Sequence, residues 1–225
     1  MKKLLVMAAM VLSSVGAFAQ QPVGTITIQP KIGLNCASAT SHELGHGVNL
    51  DFDYKAGFVG GAEVEYQATP KLGISGGILY SMQGAKYSGN LGDLEGWEGA
   101  ENVKDVKFNF DYLNIPVLAN IYVVKGLALK AGVQFGFNIN NKMKIGSISV
   151  NWNDLIDEIQ KEEYYDLGGV GKVKTFDFSI PVGASYEYQN FVLDARYNIG
   201  VTKVIDGLDC RNSVFQLTLG YKFKL

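Results

Sequence analysis

Val214-Phe215-Gln216-Leu217-Thr218-Leu219-Gly220-Tyr221-Lys222-Phe223-Lys224-Leu225 decides the fold of this chain. From Phe215 onward every odd position is apolar, and the even positions are Gln216, Thr218, Gly220, Lys222 and Lys224. Successive side chains of a β-strand point to opposite faces, so this strict period of two gives one greasy face and one polar face. A membrane-spanning strand has this form, with lipid on one side and a polar interior on the other.

The same alternation returns seven more times. Strand one (about 25 to 36) sets Ile26, Ile28, Pro30, Ile32 and Leu34 against Thr27, Gln29, Lys31, Gly33 and Asn35. Strands two (about 56 to 67) and three (about 71 to 84) follow, joined across Thr69-Pro70-Lys71. Strands four (about 110 to 123) and five (about 127 to 140) are separated by Lys125-Gly126, and strands six (about 175 to 188) and seven (about 191 to 201) by Gln189-Asn190. Between these tight turns lie longer segments near 37 to 55, 85 to 109, 141 to 174 and 202 to 212. Short turns at one end and four long loops at the other predict an all-β, eight-stranded antiparallel up-and-down transmembrane barrel, with both termini periplasmic and the long loops external.

Alternation alone also suits a soluble lipocalin-like barrel, in which the apolar face points inward. Two features favour the membrane. Aromatic residues collect at both ends of the apolar face, with Tyr66, Tyr186, Tyr188, Phe191, Tyr221 and Phe223 near the short turns and Phe58, Tyr80, Phe135, Phe137, Phe176, Phe178, Tyr197 and Phe215 toward the long loops. Such paired girdles flank a hydrocarbon band. The distance from Phe178 to Tyr188, at ~3.3 Å per residue and a tilt of roughly 40°, gives about 25 Å, the height of that band. The second feature is a balanced set of charges on the polar face: Glu63, Glu65, Asp177, Glu187 and Asp194 against Lys31, Lys130, Arg196, Lys222 and Lys224. An eight-stranded barrel has an interior just wide enough for side chains, so these charges are expected to pair within a filled lumen.

The N-terminus agrees with export. Lys2 and Lys3 precede an apolar stretch from Leu4 to Val15, and Ala17-Phe18-Ala19 forms an A-x-A site, so residues 1–19 are expected to be a signal peptide and 20–225 the barrel domain. The apolar stretch is too short to span a bilayer, and no other run is long enough for a transmembrane helix. The chain has 20 basic and 22 acidic residues, two of the basic ones in the leader, which provides no electrostatic attraction to nucleic acid.

Asp111-Tyr112-Leu113-Asn114-Ile115-Pro116-Val117, Phe178-Ser179-Ile180-Pro181-Val182-Gly183, the run Leu193 to Gly200 and the ending Leu219-Gly220-Tyr221-Lys222-Phe223 resemble the PorT-like outer-membrane β-barrel family of Bacteroidetes. The resemblance covers nearly all of the mature chain. It implies an outer-membrane location in a Gram-negative cell and an eight-stranded barrel, and it brings no catalytic residues.

Several motifs invite chemistry. His42-Glu43-Leu44-Gly45-His46 matches the H-E-x-x-H pattern of zinc proteases, in which two His one helical turn apart hold the metal. Here Gly45 and Gly47 oppose a helix and no third ligand follows at the expected spacing, so His42 and His46 are weak metal candidates and a surface zinc hydrolase is the remotest reading. Cys36 and Cys210 are the only cysteines, and both fall near the external end of the seam where strands one and eight meet. An oxidising compartment permits a disulfide, although opposite phases on adjacent strands would point the two Cβ atoms apart.

From Asn153 to Tyr165 the third long loop has the capping and apolar spacing of a short helix. Its acids, Asp154, Asp157, Glu158, Glu162 and Glu163, suit a solvated face, with calcium or cation-bridged lipopolysaccharide as the rival. Trp97 and Trp152 also lie in the long loops, where partner contact and local packing are both open. The sequence thus predicts a non-enzymatic outer-membrane barrel without cofactor. Its partners would be outer-membrane lipid, lipopolysaccharide and an unidentified surface ligand, and a narrow small-solute porin is the alternative.

Overall fold

In the computed structural model the described residues are 21–41, 53–87, 106–145, 148–151, 172–206 and 209–225. The strands are β1 (Ile26–Ser41), β2 (Lys55–Thr69), β3 (Leu72–Tyr87), β4 (Val106–Val124), β5 (Leu127–Ile145), β6 (Ile148–Asn151), β7 (Phe176–Tyr188), β8 (Phe191–Gly200), β9 (Cys210–Tyr221) and β10 (Phe223–Lys224). Neighbours pair antiparallel in the order β1-β2-β3-β4-β5-β7-β8-β9, and β9 pairs back onto β1. The sheet therefore closes into a barrel without edges, which is the condition for strands to cross a bilayer.

Closure runs along one continuous register. Ser41 faces Cys210, Lys31 faces Gly220, and Thr27 faces Lys224 of β10, so β10 continues β9 after an interruption at Lys222. Eight long strands thus build the wall, and β6 is a short return folded against the outer end of β5, with Lys142 opposite Asn151.

The apolar face points outward. Ile32, Leu34, Ile78, Ile121, Leu193, Leu217 and Leu219 are exposed, whereas Lys31, Glu63, Asn120, Asp194, Arg196 and Gln216 are buried. A water-soluble barrel would reverse this arrangement, so the surface is built for hydrocarbon.

The tight turns use residues suited to them. Gln189 (φ 47°) and Asn190 (φ 70°) both adopt left-handed backbone, as a two-residue type I′ hairpin requires. At the β2–β3 turn, Thr69 Oγ1 accepts hydrogen bonds from the backbone N–H groups of Lys71 (3.3 Å) and Leu72 (3.0 Å).

At the outer end the strands exceed the sequence expectation. β4 starts at Val106 rather than near 110, β5 runs to Ile145 rather than 140, and β9 begins at Cys210 rather than Val214. Apolar alternation is imposed by lipid and stops where the lipid stops, but the ladder hydrogen bonds continue into water without it. The β4–β5 register shifts between Asp111 and Tyr112, so Ile139 is an extra residue opposite no partner on β4. Such a bulge bends a strand at the rim of a barrel.

Candidate functional site: the lumen

The charges that the period of two directs inward come from strands spaced around the barrel. Arg196 on β8 is the centre. Its Nη1 and Nη2 donate to Glu63 Oε1 (2.6 Å) and Oε2 (2.8 Å) on β2, and its Nε and Nη2 donate to Asp194 Oδ1 (2.7 Å) and Oδ2 (2.8 Å). Each carboxylate thereby receives a two-point grip that fits the planar guanidinium.

Lys31 on β1 donates to Glu63 Oε2 at 2.7 Å and stands 3.5 Å from Asp194 Oδ2, while Lys130 on β5 donates to Asp194 Oδ2 at 2.6 Å. Three cations therefore hold two carboxylates, and β1, β2, β5 and β8 are tied across the interior. All five side chains are buried.

A second cluster lies nearer the short turns. Lys222 Nζ stands 2.9 Å from Glu65 Oε2 and 3.0 Å from Glu187 Oε2, and it donates to the Tyr122 hydroxyl at 3.0 Å. The Tyr122 hydroxyl in turn donates to Glu65. One cation here meets two acids, the opposite bias to the cluster above it. Each imbalance faces its complement along the barrel axis, and the eight ionised groups together balance.

Glycines make room for these side chains. In the register Lys31 faces Gly61 and Gly220, Glu63 faces Gly77, and both Lys130 and Arg196 face Gly183. At Gly183 a Cβ would run into the Ala195 carbonyl and approach the Arg196 Cα to 2.9 Å. The neighbouring backbone lies so close that only glycine fits this position.

Two of the expected lumen charges stand outside the ion-pair network. Lys224 keeps the inward phase opposite Thr27, but it sits on the barrel rim and is exposed, because the strand ends there in water. Asp177 is buried toward the long loops, where it accepts from Thr202 Oγ1 at 2.9 Å, and among the described residues no cation of the network reaches it.

The cysteines are not bonded. Cys36 faces Phe215 and is exposed on the outside, whereas Cys210 faces Ser41 and is buried, five positions further along β1 and on the other face. Side chains on opposite faces of a sheet cannot be bridged. His42, Glu43 and His46, the 153–165 segment, Trp97, Trp152 and residues 1–19 lie outside the described residues.

Sequence reasoning did not single out the tyrosines or the amides. Tyr122 and Tyr112 are buried on the inward face of β4, and Asn35 Nδ2 crosses to Ser81 Oγ at 2.8 Å. On β4 the inward set Tyr112, Asn114, Pro116, Leu118, Asn120 and Tyr122 is half apolar, so the polar face is muted there. Their alternation with Leu113, Ile115 and Val117 was the available signal.

A closed antiparallel barrel with apolar residues outside and paired charges inside defines a transmembrane outer-membrane β-barrel. The family model of the outer membrane protein beta-barrel domain matches residues 18–206, and the chain belongs to that family. It is an integral outer-membrane protein. No curated protein matches it.

Among solved structures it is similar to Neisserial surface protein A, at 12% identity over 88% of this chain and 97% of that one, with a TM-score of 0.50. It is also similar to the outer membrane protein OprG from Pseudomonas aeruginosa, at 15% identity over 92% and 99% with a TM-score of 0.48. A third likeness is to Ail, the attachment invasion locus protein of Yersinia pestis, at 16% identity over 89% and 99% with a TM-score of 0.43. At these identities the likeness concerns the fold alone.

Proposed function

We propose that this chain is a non-enzymatic, PorT-like barrel whose lumen is a plug rather than a pore, and that it serves envelope structure or recognition through its long loops. It would be exported with residues 1–19 removed, and would sit among outer-membrane lipid and lipopolysaccharide with its loops offered to a surface ligand. The observation that carries the plug is the double two-point grip of Arg196 on Glu63 and Asp194, reinforced by Lys31 and Lys130. An ion passing along the axis would have to separate buried pairs and leave their charges uncompensated out of water, which is costly.

Planar-bilayer recording of the pure mature protein tests this reading. The expected result is an electrically silent bilayer containing correctly folded barrel, and reproducible single-channel steps would overturn it. The alternative, a narrow small-solute porin, draws on the outer half of the lumen, where buried amides such as Asn198 lack hydrogen-bond partners among the described residues. Under that reading, an Arg196→Gln barrel would conduct more than the parent.

A further inference from the structure

Beyond the aromatic band the outward face of β3, β4 and β5 changes from apolar to basic. Lys86 on β3 stands opposite Lys107 on β4, and Lys107 stands opposite Lys144 on β5. One step nearer the membrane on the same face, Lys142 stands opposite Asn109. Lys107 and Lys142 thus share the outward face of two adjacent strands, where an anion would meet two ammonium groups.

The rest of the outer rim is different. Lys174 pairs with Asp206 at 3.0 Å, Lys203 with Asp209 at 3.6 Å and Arg211 with Asp209 at 3.5 Å. On the β3–β5 wall, Lys107 and Lys142 are exposed, and among the described residues neither has an acidic partner. Of the acids closest in the register, Asp111 accepts from Asn140 Nδ2 at 2.9 Å, and Asp53 lies across a backbone bridge from Lys86 (2.8 and 3.2 Å) rather than opposite Lys107 or Lys142.

Height and direction narrow the partner. Lys107 lies beyond Leu113 on β4 by about 15 Å at ~3.3 Å per residue and a tilt of roughly 40°, which is the zone of headgroups above the hydrocarbon. The basic row shares its face with the lipid-exposed wall, and directly below it Ile139 is 57% exposed and Phe137 39% exposed. A ligand fitting both surfaces has acyl chains for Ile139 and Phe137 and anionic groups for the lysines.

We infer that the outer wall of β3–β5 is a binding site for the phosphorylated saccharide headgroup of an outer-leaflet glycolipid, held by Lys107 and Lys142 beside the Lys86 and Lys144 register positions. This deepens the glycolipid contact proposed above. A soluble polyanion would not need the apolar strip beneath the lysines. The chain's own 88–105 segment, with Asp93, Glu95, Glu98, Glu101 and Asp105, is the competing occupant.

The test uses full mature protein in phosphatidylcholine nanodiscs doped with bisphosphorylated lipid A, with bound lipid A counted by native mass spectrometry. Wild type should retain lipid A. The double variant Lys107→Gln/Lys142→Gln should lose it about tenfold or more, given the attraction each basic residue near an anionic surface contributes. Lys174→Gln/Lys203→Gln on the other rim should behave as wild type, and dephosphorylated lipid A should bind wild type as poorly as phosphorylated lipid A binds the double variant.

Equal retention by wild type and the Lys107/Lys142 variant would overturn the site. So would equal binding of the acyl-free headgroup saccharide phosphate, or retention that appears only when the acids of 88–105 are neutralised. Conductance of the same preparations keeps the two proposals apart. Channel steps with normal lipid A retention would remove the plug alone, and a silent barrel without retention would remove this site alone.

Discussion

The two halves of the lumen solve the same problem with different chemistry. Toward the periplasm the interior is ionic, and its charges are arranged in two clusters around Arg196 and Lys222. Toward the outside it is mostly neutral, lined by Asn35, Asn114, Asn198, Asn212, Gln216 and Tyr112. Among the described residues, Asn114 Nδ2, Gln216 Nε2 and both polar atoms of Asn198 have no hydrogen-bond partner. Unpaired neutral atoms also occur in the ionic half, at Gln29 Nε2, Asn120 Oδ1 and Thr218 Oγ1. The difference follows from what each group costs when left alone. An unpaired buried amide costs about 1–3 kcal/mol, whereas an unpaired buried ion costs several. The charges around Arg196 and Lys222 are therefore matched ion to ion, while Asp177 in the outer half is held by the Thr202 hydroxyl and the amides there are left loosely matched.

The hardest test of that contrast is Arg196→Leu. Glu63 and Asp194 would keep Lys31 and Lys130 but lose both two-point grips, and the expected loss is about 3–5 kcal/mol, the range for breaking a buried pair from one side. Urea titration of the folded barrel in detergent, followed by its heat-modifiable gel mobility, measures it. A loss under about 1 kcal/mol would mean that water already reaches the ionic half, and the two halves would not differ in kind. Lys222→Met asks the same of the lower cluster, where Glu65 and Glu187 share this single cation.

Next in size is a test of inside against outside. Leu217 faces lipid on β9, between the buried Gln216 and Thr218. Leu217→Arg is expected to cost ~2 to 4 kcal/mol in a bilayer, the cost of an arginine near the membrane midplane. The measurement is the change in folding free energy in vesicles, and an equal cost in detergent-free water would contradict a lipid-facing wall.

Gly183→Ala probes the space between these surfaces. Its Cβ would meet the Ala195 carbonyl and displace the backbone that carries Arg196, while Gly183 itself faces Lys130 on the other side. Overpacking of this kind costs about 1–3 kcal/mol. The same midpoint titration should place this variant below Arg196→Leu in effect, and a neutral outcome would show that the close strand approach at Gly183 is not needed to hold the ionic cluster.

How much of this was legible beforehand follows from which forces write themselves into sequence. Lipid dictates alternation, so the eight strands, the outward face of Leu217 and the inward phase of Arg196 could all be read from the period of two. Register cannot be read that way. It decides that Arg196 meets Glu63 across the lumen, that Cys36 and Cys210 miss each other by five positions, and that Lys224 reaches the rim instead of the network. The strand extensions past Phe110 and Asn140 were hidden for the converse reason: in water, a ladder such as Lys107 opposite Lys144 needs no apolar period to form.

Asn198→Ala gives the smallest expected effect and sharpens the comparison most. Asn198 is 3% exposed and lies two residues from Arg196 on the same face, yet neither its Oδ1 nor its Nδ2 has a partner among the described residues. Truncation removes two unmatched polar atoms together with a little packing, so the terms oppose and the net change should stay within about 1 kcal/mol. The unfolding midpoint in urea measures it, with the denaturant slope unchanged from wild type. A loss above about 2 kcal/mol would place a strong partner on this amide and make the outer half as tightly matched as the inner one. Since the two residues share a strand, a large effect at Arg196 beside a small one at Asn198 would locate the boundary between the matched and unmatched halves within a single inward step of β8.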